Sequence, residues 1–175
     1  ALDAAVTGDK NTAVGFEALT ANTSGARNTS VGSESLESNT TGTDNTALGR
    51  GTLSSNVSGS FNTAIGKSAL TVNTANNNTA VGHQSLDANT TGTNNVAVGM
   101  DSLTANTEGH SNTAVGSEAG DALTTGDENV ALGHGALDGT TTGNGNTAVG
   151  TDALGKSDYN ASYNTAVGYN AMLNA

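Results

Sequence analysis

An all-β fold, a parallel β-solenoid of about ten short coils, is what this sequence predicts, and three observations carry the prediction. The motif Asn-Thr-Ala-Val-Gly, exact or slightly varied, recurs ten times, with its Asn at 11, 28, 45, 62, 78, 95, 112, 129, 146 and 164. Nearly every step is 17 residues, more than one strand and turn require and far below the ~33 to 47 residues of two-helix repeats. Finally, the chain has 24 Gly, no Pro, no Cys, no Trp and only five Phe or Tyr, so the large side chains that fill a globular core are missing. Residues 1–175 therefore read as one repeat array. Because Ala1 and Leu2 already fall in the phase of a preceding coil, we expect a fragment of a longer fibrous protein.

Numbering the unit from its Asn gives N-T-A-V-G-x-x-A-L-x-x-N-T-x-G-x-x, and each column has a physical reading. Column 4 is always aliphatic: Val14, Val31, Leu48, Ile65, Val81, Val98, Val115, Leu132, Val149 and Val167. Column 2 is Thr except at Val96 and Val130. Both columns hold β-branched strand formers of one parity, so we expect them on a shared buried face, with column 4 as the structural core. Column 3, of opposite parity, is Ala except for Ser30. It is then expected to form a flat outer strip where a neighbouring copy could sit.

Column 9 is Leu in eight coils and supplies the second core contact. Columns 5 and 15 are Gly in ten and seven coils, with Asn76 and Asn160 as substitutes in column 15, and both are expected at corners needing positive φ. The 16-residue unit ending at Asn77 should lose its residue in a turn. Column 1 is always Asn (Asn11, Asn28, Asn45, Asn62, Asn78, Asn95, Asn112, Asn129, Asn146, Asn164), and column 12 is Asn from Asn22 to Asn106. Stacked at the ~4.8 Å strand spacing, such side chains can bond amide to amide as Asn ladders. Unit seven breaks pattern, with Gly120 in the Leu column and Leu123 in the Asn column, and a local distortion is expected near 119–125.

Ten coils at this spacing make a rod roughly 48 Å long. Each coil buries few large side chains, so packing against copies of itself is a natural way to recover burial, and a homo-oligomer is expected. With five Lys and Arg against 16 Asp and Glu, for a net charge of -11, the chain has no basic patch for nucleic acid. Anionic lipid would repel it, so no direct membrane contact is expected.

The strand motif N-T-A-V-G between Gly corners resembles the repeat of the head domains of trimeric autotransporter adhesins, YadA-like left-handed parallel β-rolls. The match covers practically the whole chain, although those heads usually have shorter coils. The resemblance implies a left-handed roll, a parallel homotrimer with columns 1 to 5 as the inner strand, and binding to host surface proteins or matrix. The fuller pattern N-T-A-V-G-x-x-A-L-x-x-N-T-T-G is also similar to repeats of bacteriophage tail fibres, which are trimeric and attach virions to hosts.

Catalytic chemistry finds little support. His83 and His134 share column 6 but lie three coils apart, ~14 Å at ladder spacing, too far for one metal; His110 sits in another corner. There is no Cys nucleophile and no Gly-x-Ser-x-Gly elbow. Column 7 carries Glu17, Glu34, Asp101, Glu118 and Asp152, read as a solvated acidic edge, and the calcium β-roll pattern is absent. No phosphate-binding glycine loop precedes a helix. Sequons at Asn22, Asn39 and Asn89 are products of the repeat. The aromatics Phe16, Phe61, Tyr159, Tyr163 and Tyr169 lie largely in variable columns.

The expected function is that of a non-catalytic extracellular fibre segment, a shaft or head for adhesion or host attachment on a bacterial surface or a virion tail fibre. It would need no cofactor and no metal; its partners would be itself and a host surface protein or glycan. Two alternatives are an ice-binding solenoid, which requires outward Thr, and a carbohydrate-binding solenoid like some phage tailspikes, which requires paired carboxylates in a groove.

Overall fold

In the computed structural model, which describes residues 7–155, 160 and 162–173, the chain forms a parallel β-solenoid. Each coil contributes one three-residue strand: β1 (Thr12–Val14), β2 (Thr29–Val31), β3 (Thr46–Leu48), β4 (Thr63–Ile65), β5 (Thr79–Val81), β6 (Val96–Val98), β7 (Thr113–Val115), β8 (Val130–Leu132), β9 (Thr147–Val149) and β10 (Thr165–Val167). They form one sheet in sequence order, every neighbour parallel. Register follows the repeat, so Thr29 pairs with Thr46 and Val31 with Leu48. The 16-residue unit keeps it too, Ala64 facing Ala80.

Axial hydrogen bonds continue beyond the strands. Where the chain turns, residues of columns 7, 9 and 17 adopt left-handed backbone, as in Glu34 (φ 60), Leu36 (φ 49) and Asp44 (φ 58). A left-handed L-residue costs roughly 1–2 kcal/mol. Each turns the chain while keeping its N–H along the fibre axis: Glu34 donates to Phe16 O at 2.8 Å, Leu36 to Thr52 O at 2.9 Å and Asp44 to Ala26 O at 3.1 Å. A hydrogen bond that would otherwise be lost offsets the strain. Nothing in the propensity of Leu signals this conformation.

The expected orientation of the strand is reversed. None of Val14, Val31, Leu48, Ile65, Val81, Val98, Val115, Leu132, Val149 and Val167 is buried; five are exposed, with Val14 at 57% and Leu48 at 47%, and the other five are half-buried. The inward column is column 3, where Ala47, Ala64, Ala80, Ala97 and Ala114 are wholly inaccessible. It packs in one core cluster with Leu19, Leu36, Leu53, Leu70, Leu86 and Leu103 of column 9. Strand alternation explains the reversal: columns 1 and 3 share a parity, and once the Asn column lies inside, Ala must lie inside with it. A narrow coil takes Ala opposite Leu and has no room for a second large row. The Ala strip is therefore interior and is no docking surface.

Column 15 also differs from expectation. Its Gly residues, such as Gly25, Gly42 and Gly109, do not have positive φ; a Cβ there would collide with the Asn side chain of column 12 and the carbonyl of the next coil. Space, and not backbone conformation, selects Gly. In the short unit Ala75 fills this position, its carbonyl accepting from Asn62 Nδ2 at 2.8 Å and Asn73 Nδ2 at 2.9 Å. Asn76 instead bonds Ser60 N through its Oδ1. Asn160 likewise acts through its side chain, Oδ1 accepting from Thr141 Oγ1 at 2.6 Å and from Thr142 N.

Unit seven is not distorted. Gly120 takes the left-handed conformation of the Leu column (φ 62) and donates to Ala136 O at 2.8 Å, while Leu123 is fully buried in the common core. Leu123 and Gly120 thus exchange roles within one coil. We expect Gly120→Leu alone and Leu123→Asn alone each to destabilise, by overpacking against Leu103 and by loss of core volume, at about 1–3 and 2–4 kcal/mol. The double variant restores the consensus and should recover most of the loss. A double-mutant cycle in urea with a coupling energy near zero would show that the two positions do not communicate.

Candidate functional site: an outward Thr-x-aliphatic face

Most polar side chains of the interior are hydrogen-bonded. Along column 1, Asn45 N and Nδ2 donate to Asn28 Oδ1 at 3.0 and 3.2 Å, and Nδ2 donates to Gly59 O at 2.8 Å. Asn62 repeats the pattern against Asn45, and the Oδ1-to-backbone link runs on to Asn164. Column 12 forms two shorter runs, Asn22–Asn39–Asn56 and Asn73–Asn89–Asn106, each linked amide to amide at 2.6–3.0 Å. Each run ends on a buried oxygen without a partner, Asn56 Oδ1 and Asn106 Oδ1. The first faces the shortened coil and the second faces Leu123, which offers no donor. The sequon residues Asn22, Asn39 and Asn89 are wholly inaccessible.

A further ladder was not read from the sequence. The column-16 side chain of one coil accepts from the column-16 N–H of the coil before it: Ser60 Oγ from Thr43, His110 Nδ1 from Thr93, Asp127 Oδ1 from His110 and Asn144 Oδ1 from Asp127, at 2.7–3.0 Å. The available signal was that nearly every column-16 residue after Ala26 carries an acceptor. Column-13 Thr hydroxyls are also occupied, as in Thr23 Oγ1 to Thr40 O at 3.0 Å and Thr90 Oγ1 to Thr107 O at 2.9 Å.

Against that background the outer strand face stands apart. Its Thr row (Thr12, Thr29, Thr46, Thr63, Thr79, Thr113, Thr147, Thr165) makes no side-chain hydrogen bond within the described chain, and its aliphatic row lies beside it. Columns 2 to 5 contain no charged residue in any coil, although the protein carries 16 Asp and Glu. The flanking columns 6 and 17 hold every described aromatic, Phe16, Phe61, Tyr163 and Tyr169, at 60–82% exposure, along with exposed Met100. Tyr159 lies outside the described residues. The result is a long apolar strip with free hydroxyls and an aromatic and charged margin.

One close ion pair apart, the margin's charges are weakly engaged. Arg27 pairs with Asp44 through two contacts of 2.7 and 2.8 Å, which raises the guanidinium pKa and lowers that of the carboxyl. The remaining approaches are longer: Arg50 to Glu34 at 3.7 Å, His83 to Asp101 at 3.9 Å, and His134 to Glu118 and Asp152 at 3.9 and 4.0 Å. Among the described residues no group of three His, Asp or Glu could hold a metal ion, and no helix is long and apolar enough to cross a membrane. Further round the coil, burial and then Glu118 push the Asp121 carboxyl above its usual 3.8. Because the folded state then holds that proton more tightly than the unfolded chain, ionisation costs stability above the folded pKa and nothing below about 3.8. Asp121→Asn should therefore stabilise at pH 7 by about 0.5 kcal/mol or less, and the gain should vanish in chemical denaturation below pH 4.

Fold and face together define a single-sheet parallel β-solenoid with one unpartnered apolar side. No protein-family model, curated protein or solved structure matches the chain.

Proposed function

We propose that this chain is a non-catalytic extracellular fibre segment, a rigid shaft or head for adhesion or host attachment, wound left-handed and assembled as a parallel homotrimer. The observation that carries the reading is the outward Thr-x-aliphatic face. At ten strands ~4.8 Å apart and roughly 20 Å across with its margins, it offers on the order of 1,000 Å² of surface whose central columns 2 to 5 carry no charge. That matches the ~800 Å² per partner of a stable interface and exceeds the few hundred Å² a soluble monomer usually leaves open. Turned toward a common axis, the strip becomes a second hydrophobic core between chains, and the remaining columns are displayed outward. Both the adhesin heads and the phage tail fibres that the repeat resembles support the same assignment, on a bacterial surface or a virion. Sedimentation should give a mass of three chains, and Val98→Glu in the centre of the strip should yield monomers with the solenoid's circular dichroism retained. A wild-type monomer at micromolar concentration removes the trimer.

A second reading rests on a specific observation. Ice binding requires outward Thr, and column 2 is outward with its hydroxyls unengaged, contrary to the sequence expectation that it is buried. The parallel rows of hydroxyls and methyls would then order water instead of a partner. Thermal hysteresis in a monomeric preparation supports this reading, and its absence discards it.

A further inference from the structure

Asn144-Gly145 is the one Asn-Gly dipeptide in the chain. An asparagine side chain cyclises most readily before Gly, because no Cβ on the following residue hinders its backbone nitrogen from reaching the side-chain amide carbon. Every ladder Asn of columns 1 and 12 is instead followed by Thr or Val, whose branched Cβ obstructs the same attack. The exposed Asn144 sits in column 16 of coil eight, and the polar groups around the reacting atoms are fastened to both neighbouring coils. Asn144 Oδ1 accepts from Asp127 N at 2.7 Å and Gly145 N donates to Asp127 O at 2.9 Å, so one residue of coil seven holds both reactants. From coil nine, Ser162 Oγ accepts from Asn144 N at 2.9 Å and Tyr163 N donates to Asn144 O at 2.8 Å. The Tyr163 ring lies against Gly145, on the side where a Cβ would fall 2.8 Å from ring atom Cδ1.

We infer that Asn144 is a self-modification site gated by coil nine: it stays amidated while coils eight and nine are closed on each other and deamidates when they separate. On opening, Gly145 N bonds to Asn144 Cγ as the Cγ–Nδ2 bond breaks. The side-chain amide leaves as ammonia, taking the proton from Gly145 N, and water then opens the cyclic imide at either carbonyl. The two products differ in what the column-16 ladder can do with them. Aspartate keeps Oδ1 in place, and Asp127 already fills column 16 of the preceding coil in that form, accepting from His110 N at 2.7 Å. Isoaspartate routes the backbone through Cβ and Cγ, which lengthens the chain by an atom inside a coil whose register is pinned from both sides. Gly145 N–H then no longer reaches Asp127 O, and the coil cannot reclose. The reaction is therefore a one-way consequence of local opening at this end of the rod.

Ageing the full chain at mildly alkaline pH, in buffer and in concentrated urea, tests both the site and its gate. In urea, peptide mapping by mass spectrometry should find Asn144 the first asparagine to change from amide to acid, with ammonia released in step. In buffer the same site should react at least about 100-fold more slowly, since the rate then follows the open fraction of coils eight and nine. Ser162→Ala combined with Tyr163→Gly removes the hydroxyl and the ring that coil nine sets on the pair, and Gly keeps the left-handed backbone of that position (φ 65). This variant should deamidate about tenfold faster than wild type in buffer and at the wild-type rate in urea. Asn144→Asp should fold with the wild-type circular dichroism, and refolding of urea-aged wild type should leave isoaspartate only in the fraction that does not recover it. Four results overturn the inference: equal wild-type rates in buffer and urea, a urea rate at Asn144 no faster than at the Asn-Thr sites, a double variant as slow as wild type in buffer, or isoaspartate equally present in refolded chains.

Discussion

Gly99→Ala should unfold the solenoid locally or altogether, at a cost above about 4 kcal/mol. Gly99 sits at φ 141, a region closed to L-residues, and a Cβ there would fall against the backbone carbonyl carbon and oxygen of Gly116 in the next coil. Backbone atoms held in a parallel ladder cannot retreat without breaking the bonds on either side, and the same geometry recurs at every column-5 Gly from Gly15 to Gly133. Gly51→Ala provides the contrast. Its φ of 67 is ordinary left-handed backbone, and a Cβ would meet only Ser68 Oγ at 3.9 Å, so the cost should be roughly 1–2 kcal/mol. Urea denaturation followed by far-ultraviolet circular dichroism distinguishes the two, and equal midpoints would show that coil contact does not select these glycines.

The second large effect is expected at the Asn ladder. Asn45 accepts from Asn62 N and Nδ2 at 3.0 and 3.2 Å and donates to Gly59 O at 2.8 Å, all out of reach of water. Asn45→Ala orphans the buried Asn62 N–H, at about 1–3 kcal/mol, leaves a void in the interior, and removes one of the two donors to Gly59 O, which keeps Asn56 Nδ2 at 3.0 Å. A loss of roughly 2–4 kcal/mol should follow, with hydrogen exchange accelerating first at coils three and four because repeats contact only their neighbours. Asn11→Ala, in the half-exposed first coil, should cost less than half as much, since solvent can satisfy what the side chain abandons. A loss below 1 kcal/mol at Asn45 would mean that the ladder is ornament to a structure held by the sheet.

Much of this architecture is legible in the repeat because a solenoid writes each contact once per coil. Column-5 Gly, the Asn columns and the Leu of column 9 stand out because any other residue would be repeated as an error in every layer. The short unit and unit seven show the same logic locally: one residue is dropped in the turn before Ala75, and Leu123 enters the core where Gly120 vacates it. The left-handed Leu residues, the column-16 ladder and the spatial reason for Gly in column 15 were not legible, because each depends on what the adjacent coil places beside the chain.

Periodicity by itself determined that identical segments stack in register, since only stacking gives ten copies of one strand equivalent partners. It could not determine which way the strand faces. Alternation defines two faces, and hydrophobicity favours burying Val; the closed coil buried Ala and Asn instead, because the space between strand and Leu column admits only a small side chain and an amide ladder. The candidate site exists because of that choice: the aliphatic row expected in the core became the surface on which the proposed assembly depends.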